Sequence, residues 1–444
     1  MILKRRVLLV ARYPHPGQVK TRLIPRLGEK TAAGLQRRMT ESALSTVLSL
    51  QGVEAVLLYT GAGRSRFRSW LGPGPEYREQ IRGDLGDRLK EAFADSLNGE
   101  RAVVAAGSDI PGIRTEHYFQ AFQGLEKNDI VIGPANDGGY YLIGMKEFHP
   151  EIFRGIEWGS PEVFQATVRK ARLQGLSYSL LPPLSDIDRP EDLDLVLEDA
   201  RFSDLLSGRV MVSVIIPVLN EARLIGETIR RLKSVPHLEI IVVDGGSEDG
   251  SRELALQGGA RVLLETGGRA AQQNAGAEAA KGRVLLFLHA DTRLPDGFRE
   301  MILSALDEPE VAAGAFRFKT DGKGIALRLV ECGANIRSLL LRMPYGDQGL
   351  FMEKRVFREI GGFQNLPIME DYQLVRSLRR RGAIVILPGK AVTSSRRWRE
   401  RGIVRTFVTN QLMVAGFFLG MSPAALAAFY RRSRKKRRPV RSEQ

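Results

Sequence analysis

The sequence predicts an α/β protein made of two doubly wound, Rossmann-like domains in tandem. Three observations carry this. At 444 residues the chain is long enough for two or three domains, each able to bury its own core. Short, continuous Val/Leu/Ile runs alternate with amphipathic segments, the pattern of a parallel or mostly parallel sheet covered on both faces. The plan also starts twice, first at RRVLLVAR and again at VMVSVIIPVLN near Val210. A final helix in DLDLVLEDARFSDLLSGR, with a Gly near its end, sets the boundary at about residues 205–211. The expected domains are therefore 1–207 and 211–430, followed by a basic, disordered tail at 431–444.

In the first half, VEAVLLYTG, RAVVAAGSD and NDIVIGPAND follow the opening strand as further buried strands. Ligands in such sheets sit beyond the carboxyl ends of the strands, so polar residues just after a strand are the first candidates. Gly17, Lys20 and Arg22 of ARYPHPGQVKTRL follow the first strand. A Gly-containing loop with closely spaced cations can cradle a triphosphate. Asp109 ends RAVVAAGSD, and PPLSDIDRPEDL presents Asp186 and Asp188. Asp109 with Asp188 would make a two-carboxylate site for a divalent cation; alternatively, Asp188 caps the helix after Pro190. Asp137, Gly138 and Gly139 are either a substrate loop or a plain hairpin turn. In combination, KTRL, GSDIPG, GPANDGGYYLIG and DIDRPEDL resemble the phospholactate and molybdenum-cofactor guanylyltransferases, a GT-A-like nucleotidyltransferase group. More closely, residues 1 to about 200 resemble a glycosyltransferase-like branch associated with arsenosugar biosynthesis. The Gly-Gly and Arg-Met-Gly loop common in sugar nucleotidyltransferases is replaced here by ARYPHPGQVKTRL.

In the second half the expected strands are VSVIIPV, LEIIVVDGG, GRVLLFLHAD and VAAGAFRFK. Pro217, Asn220 and Glu221 stand at the first turn, and Asp244 with two glycines at the second. An acidic group and a tight Gly turn at adjacent strand ends can receive a nucleoside. Arg269, in a Gly-rich loop ahead of a helix, suits a diphosphate. Asp291 recurs after a strand as Asp109 does, which favours a cation ligand over a turn cap. The ordered series IIPVLNE, VVDGGSEDGS, GRAAQQNAGAEAAKG, LHADT, GGF and MED, over residues 212 to about 400, resembles the family 2 glycosyltransferases of GT-A fold.

That resemblance implies a nucleotide contact at Asp244, a metal and diphosphate ligand at Asp291, and a catalytic base at Asp371 beside Glu370. The metal would be Mg²⁺ or Mn²⁺. The first aspartate of the metal motif is His289 here, positioned for a ribose or the metal. In SSRRWRERG, Ser394 stands where processive enzymes keep a Gln, so polymer synthesis is not expected. Arg397 and Trp398 are candidates for leaving phosphate and acceptor, and Asp347 and Gln348 for the acceptor pocket; a simple turn explains Asp347 equally well.

The formal charge of +15 raises nucleic acid or an anionic membrane as partners, but its distribution is uneven. Residues 431–444 hold eight Lys or Arg against one Glu, a net of +7. No nucleic-acid motif accompanies them, so no nucleic-acid partner is expected. The apolar stretch 412–429 is short for a span and interrupted by Gly416, Gly420, Ser422 and Pro423. It reads as a helix packed on the second domain, or as a monotopic element with the basic tail on anionic lipid. The single thiol, Cys332, is expected in the core, and the opening MILKRRVLLVARYPHPG reaches a Pro before any signal-length apolar run. The expected setting is cytoplasmic, with peripheral contact at the inner face of the membrane.

The function expected is a bifunctional enzyme. Its second half transfers a sugar with inversion from a nucleotide-activated donor to a small-molecule or lipid acceptor; its first half makes or handles the activated nucleotide, from a nucleoside triphosphate. The rivals are a noncatalytic nucleotide-sugar sensor or scaffold, and an active transferase with a degenerate first domain.

Overall fold

Period-2 burial along the strands builds a core on each side of each sheet. The computed structural model describes residues 4–97, 101–208 and 211–434. The chain divides into two compact units, Met1–Arg209 and Val210–Gln444. In the first, seven strands form one sheet: β1 (Lys4–Arg12), β2 (Val53–Thr60), β3 (Glu76–Glu79), β4 (Arg101–Gly107), β5 (Ile130–Pro134), β6 (Tyr140–Met145) and β7 (Tyr178–Leu180). Their order is β3-β2-β1-β4-β6-β5-β7. All pairings are parallel except those of β6, which runs antiparallel to β4 and β5. Along β1, Val7, Leu9 and Ala11 enter the core on one face and Leu8 enters that on the other.

The second unit contains β8 (Val212–Val218), β9 (Leu238–Asp244), β10 (Arg261–Leu264), β11 (Val284–Phe287), β12 (Thr292–Arg293), β13 (Val311–Thr320), β14 (Leu350–Glu353) and β15 (Ala383–Thr393). The sheet order is β10-β9-β8-β11-β14-β13-β15-β12. Here β14 is antiparallel to β11 and β13, as β6 is to its neighbours, and β12 pairs antiparallel with the end of β15. The first seven strands of this order repeat the first unit's plan strand for strand. Val212, Val214 and Ile216 of β8 line one core while Ile215 lines the other.

Three expectations are corrected. DLDLVLEDARFSDLLSGR is not one helix: it holds a 3₁₀ segment, Pro190–Leu195, and a single turn, Ser203–Leu206. Between them Asp199 accepts from the Arg201 N–H at 2.9 Å and from its guanidinium, a local turn that competes with helix. Cys332 is exposed on the helix Ile325–Leu341 rather than packed. The apolar stretch 412–429 is split between two helices, Ile403–Phe418 and Pro423–Arg434, by a turn with Gly420 at φ 82°. They pack inward through Met413, Leu426 and Phe417, whose ring meets Tyr372 edge-on at 5.6 Å. Of the expected tail, residues 431–434 end the last helix, and 435–444 lie outside the described residues.

Candidate active sites at the strand ends

In the second unit the loops after β8 and β9 brace each other. The Asn220 N–H donates to Ser247 Oγ (2.9 Å) and the Glu248 N–H to Asn220 Oδ1 (3.0 Å). The first N–H groups of the helix Ala222–Lys233 are taken up the same way: Glu221 N–H donates to Ser251 Oγ (2.8 Å) and Ala222 N–H to Asp249 (3.0 Å). Asp244, 2% exposed, accepts from the Gly246 and Ser247 N–H groups at 3.1–3.2 Å, so much of its carboxylate closes its own turn. Pro217 is half-buried in β8. Gln272 of the helix Arg269–Ala279 is buried and ties the ends of β8 and β9 through Val218 O (3.0 Å) and Val243 O (2.8 Å).

The charged groups gather on this floor. Arg269, at the first position of its helix behind Gly268 (φ 94°), lies 3.8 Å from Glu370, and its charge also acts on Asp291. Arg269 thus acts electrostatically on both Asp291 and Glu370. Burial raises the Asp291 pKa, with Arg396 and Arg269 opposing. Burial also raises that of Glu221, which pairs with Arg396 at 3.3 Å and feels Asp291. Glu370 is raised by burial and then by the adjacent Asp371. Asp371 itself is held by two backbone donors: Gly346 N–H to Oδ2 at 2.9 Å and Tyr372 N–H to Oδ1 at 2.8 Å. A Cβ on Gly346 would lie 3.3 Å from both Asp371 Oδ2 and His289 Nε2, so those two groups face the same small space. Met369, just before the acidic pair, has φ 69°, and Asn220 has φ 57°. Strained, non-glycine backbone of this kind persists where the surroundings over-determine it.

Asp347 and Trp398 line one cleft with Arg337, Tyr345, Phe407 and Asn410. The Arg337 guanidinium stacks 3.4 Å above the Tyr345 ring, and burial pushes the Tyr345 hydroxyl up to about 12. Gln348 also lines this cleft. Fully buried, its Oε1 accepts from Ser338 Oγ (3.0 Å) and Tyr345 N–H (2.9 Å), and its Nε2 donates to Phe316 O (2.9 Å). Its hydrogen bonds hold the turn. The side chain of Arg397 lies outside the described residues; its neighbour Arg396 is the arginine that reaches Glu221. Ser394 donates its N–H to the Asp291 carbonyl (3.2 Å).

In the first unit, Lys20 (φ 46°) turns a nearly buried ammonium onto Asp109 Oδ2 at 3.0 Å and Asp188 Oδ1 at 3.8 Å; Arg22 binds Asp188 at 2.6 Å. Burial by itself would lower the Lys20 pKa and raise that of Asp109, but their attraction and hydrogen bond prevail, so Lys20 is held high and Asp109 low. Asp186, beside them, is pushed up to about 6 by burial and by Asp109 and Asp137. Asp188 does not cap the segment after Pro190. Asp192 does, accepting from the Asp188 and Arg189 N–H groups at 3.0 and 2.7 Å. Gly17 has φ 76°, and a Cβ on it would lie 3.4 Å from the Glu29 carboxylate, so the expected phosphate loop has an acid beside it. Asp137, Gly138 and Gly139 form the β5–β6 turn, with Gly139 N–H donating to Asp137 (2.9 Å).

The two units differ in their fit to a divalent cation. Among the described residues no group of three or more His, Cys, Asp or Glu could hold one. In the second unit Asp291 with His289 supplies an incomplete set, the kind Mg²⁺ or Mn²⁺ completes with phosphate oxygens of a nucleotide. In the first, the Lys20 ammonium fills the space between Asp109 and Asp188, and the expected cation pair does not fit.

Residues 43–160 match the model of an uncharacterised protein family conserved in bacteria, DUF2064, and residues 213–362 match that of glycosyl transferase family 2. The chain is 29% identical over 170 residues to glycosyltransferase AglE of Haloferax volcanii, covering 35% of this chain and 56% of that one. It is 30% identical over 115 residues to the 2-phospho-L-lactate guanylyltransferase of Methanopyrus kandleri, covering 24% of this chain and 56% of that one. It thus spans a little over half the length of these curated relatives. A solved structure assigned as a nucleotide-diphospho-sugar transferase from Desulfovibrio desulfuricans shares 33% identity over 47% of this chain and 95% of its own, with a TM-score of 0.43.

Proposed function

We propose that this chain, which joins a DUF2064 domain to a family 2 glycosyl transferase domain, transfers a sugar from a nucleotide-activated donor to an acceptor hydroxyl with inversion in its second unit. The observation that carries the reading is the common floor formed by Asp291, Arg269 and the Glu370–Asp371 pair, beside a cleft lined by Trp398 and Asp347. Asp371, oriented by two backbone N–H groups, takes the acceptor proton. Glu370, beside it, pairs with Arg269 at 3.8 Å. Arg269 meets the donor diphosphate at the head of its helix, and Asn220, Glu221 and Asp244 shape the nucleoside end. Asp291 and His289 are the residues that would hold a divalent cation. When bound, that cation neutralises the departing nucleoside diphosphate. The acceptor, a small molecule or a lipid, enters from the Trp398 side, and the C-terminal helices bring the unit to a membrane.

The first unit handles the nucleotide-activated intermediate through Gly17, Lys20 and Arg22. A second reading is favoured there by the ammonium between Asp109 and Asp188 and the Glu29 carboxylate beside Gly17: this unit binds a nucleotide without transferring it.

A panel of nucleotide sugars, with and without Mn²⁺ or Mg²⁺, tests both units. At least one donor should raise the melting temperature by several degrees in a metal-dependent way and release nucleoside diphosphate on turnover. Stabilisation without any turnover would favour a sensor instead. Pyrophosphate release from nucleoside triphosphates and sugar phosphates would reject the binding-only reading of the first unit.

A further inference from the structure

The second unit carries an apolar surface that the described chain leaves uncovered. The helix Ile325–Leu341 buries Leu327, Val330 and Ser338 on one side. On the other, Ile325, Leu329, Ile336 and Leu340 are 82, 68, 50 and 77% exposed, at helical spacings that align them into one stripe. The helix Ile403–Phe418 contacts it and adds Val404, Val408 and Leu412, and the following turn adds Leu419 at 85% exposure. Large exposed apolar side chains gathered on two touching helices mark an interaction site. The two helices also supply opposite walls of the Trp398 cleft: Val330, Ala334 and Arg337 from the first, Phe407, Asn410 and Gln411 from the second.

We infer that this face is a membrane-docking surface that seats the second unit on a bilayer containing anionic phospholipid, with the stripe in the boundary between headgroups and acyl chains. The charges select this occupant. No Asp or Glu occurs from residue 402 to 434, and the one carboxylate of the helix Ile325–Leu341, Glu331, is buried against Thr320. Lys323, Arg342 and Arg405 border the stripe, and residues 431–444 add a net +7. Apolar side chains rimmed by cations complement an anionic surface. A second copy docking symmetrically would instead bring the same cationic rim against itself. Among the described residues no helix is long and apolar enough to cross a membrane, so the chain lies on the bilayer through this face. The cleft then opens between helices resting on lipid, where a lipid-borne acceptor headgroup is presented. The docking surface stands on the exposed face and does not require transfer.

The full chain is tested by co-sedimentation with phosphatidylcholine vesicles with and without phosphatidylglycerol, no donor or acceptor being present. The sole thiol, Cys332, is exposed on the same helix and takes a polarity-sensitive fluorophore as a second readout. Expected are strong partitioning onto the anionic vesicles, weak partitioning onto neutral ones, and a blue shift of the label on binding. Leu329→Glu with Leu340→Glu should reduce partitioning by about tenfold or more, and the milder Leu329→Ala with Leu340→Ala by a few fold. Leu173→Glu, at an 85% exposed position of the first unit, should change nothing. The inference is overturned if the wild-type chain stays in the supernatant. It is equally overturned if the stripe variants bind as well as wild type, so that the basic tail alone carries binding, or if light scattering finds a dimer that the stripe variants dissociate.

Discussion

Gly346 binds Asp371 through its N–H and leaves only tight room for a side chain, because a Cβ would press at 3.3 Å on both Asp371 Oδ2 and His289 Nε2. Its φ is not positive, so Ala is tolerated by the backbone and the strain falls on the carboxylate. Gly346→Ala should therefore cut turnover by about tenfold or more while lowering stability by no more than ~1 kcal/mol, read by steady-state kinetics and thermal unfolding. In the first unit the folded pKa of Asp186, about 6, lies above its ordinary value of roughly 3.9. Below about pH 4 both states carry the proton and there is no penalty. As pH rises through the window from about 4 to 6 the fold loses stability, and the loss is complete above it. Because the side chain is only half-buried, Asp186→Asn should stabilise this unit by just ~1 kcal/mol at pH 7.5, a gain that vanishes at pH 4. Thermal melts at the two pH values check it. The motif order in the sequence singles out Asp291, which follows a strand, and Asp371, in the first turn of the helix Glu370–Arg381. It does not single out Arg396: three arginines stand within four residues of SSRRWRERG, and only the start of the helix at Arg396 decides which faces Glu221. The hydrogen bonds of Gln348 are likewise not written in the sequence, since an amide held inside a turn has the same letter as one free to meet a ligand.

At the scale of elements, apolar runs located β1, β2, β4, β5, β8, β9, β11 and β13, since buried strands need a continuous hydrophobic sequence whichever way they run. Direction is not written in that pattern. The antiparallel β6 and β14, YYLIGM and LFME, are short, and their place beside β4 and β11 depends on the finished sheet. The broken helix after Pro190 was hidden because Asp199 and Arg201 close a turn inside a stretch with helical periodicity. The β5–β6 connection gives a sharper test. Gly138 has φ 92°, and a Cβ there would fall 2.0 Å from the Pro161 carbonyl oxygen. Gly138→Ala must distort the turn and should cost roughly 2–4 kcal/mol, measured by denaturant unfolding, whereas Gly139→Ala, where a Cβ would meet only the flexible Asp137 side chain at 3.2 Å, should cost far less.

Over the whole molecule, two sheets of the same strand order each bring acids and arginines or lysines to the carboxyl ends of their central strands. The first unit has closed its cluster with Lys20, whereas the second leaves Asp291 and the Glu370–Asp371 pair around a half-exposed Arg269. On that contrast rests our proposal of transfer chemistry for the second unit and nucleotide handling for the first. The most direct measurement compares wild type with Asp371→Asn for nucleoside diphosphate release and for donor affinity in the same preparation. The account predicts a loss of at least about a thousandfold in turnover with donor affinity within about threefold of wild type. Turnover that survives the substitution would contradict it.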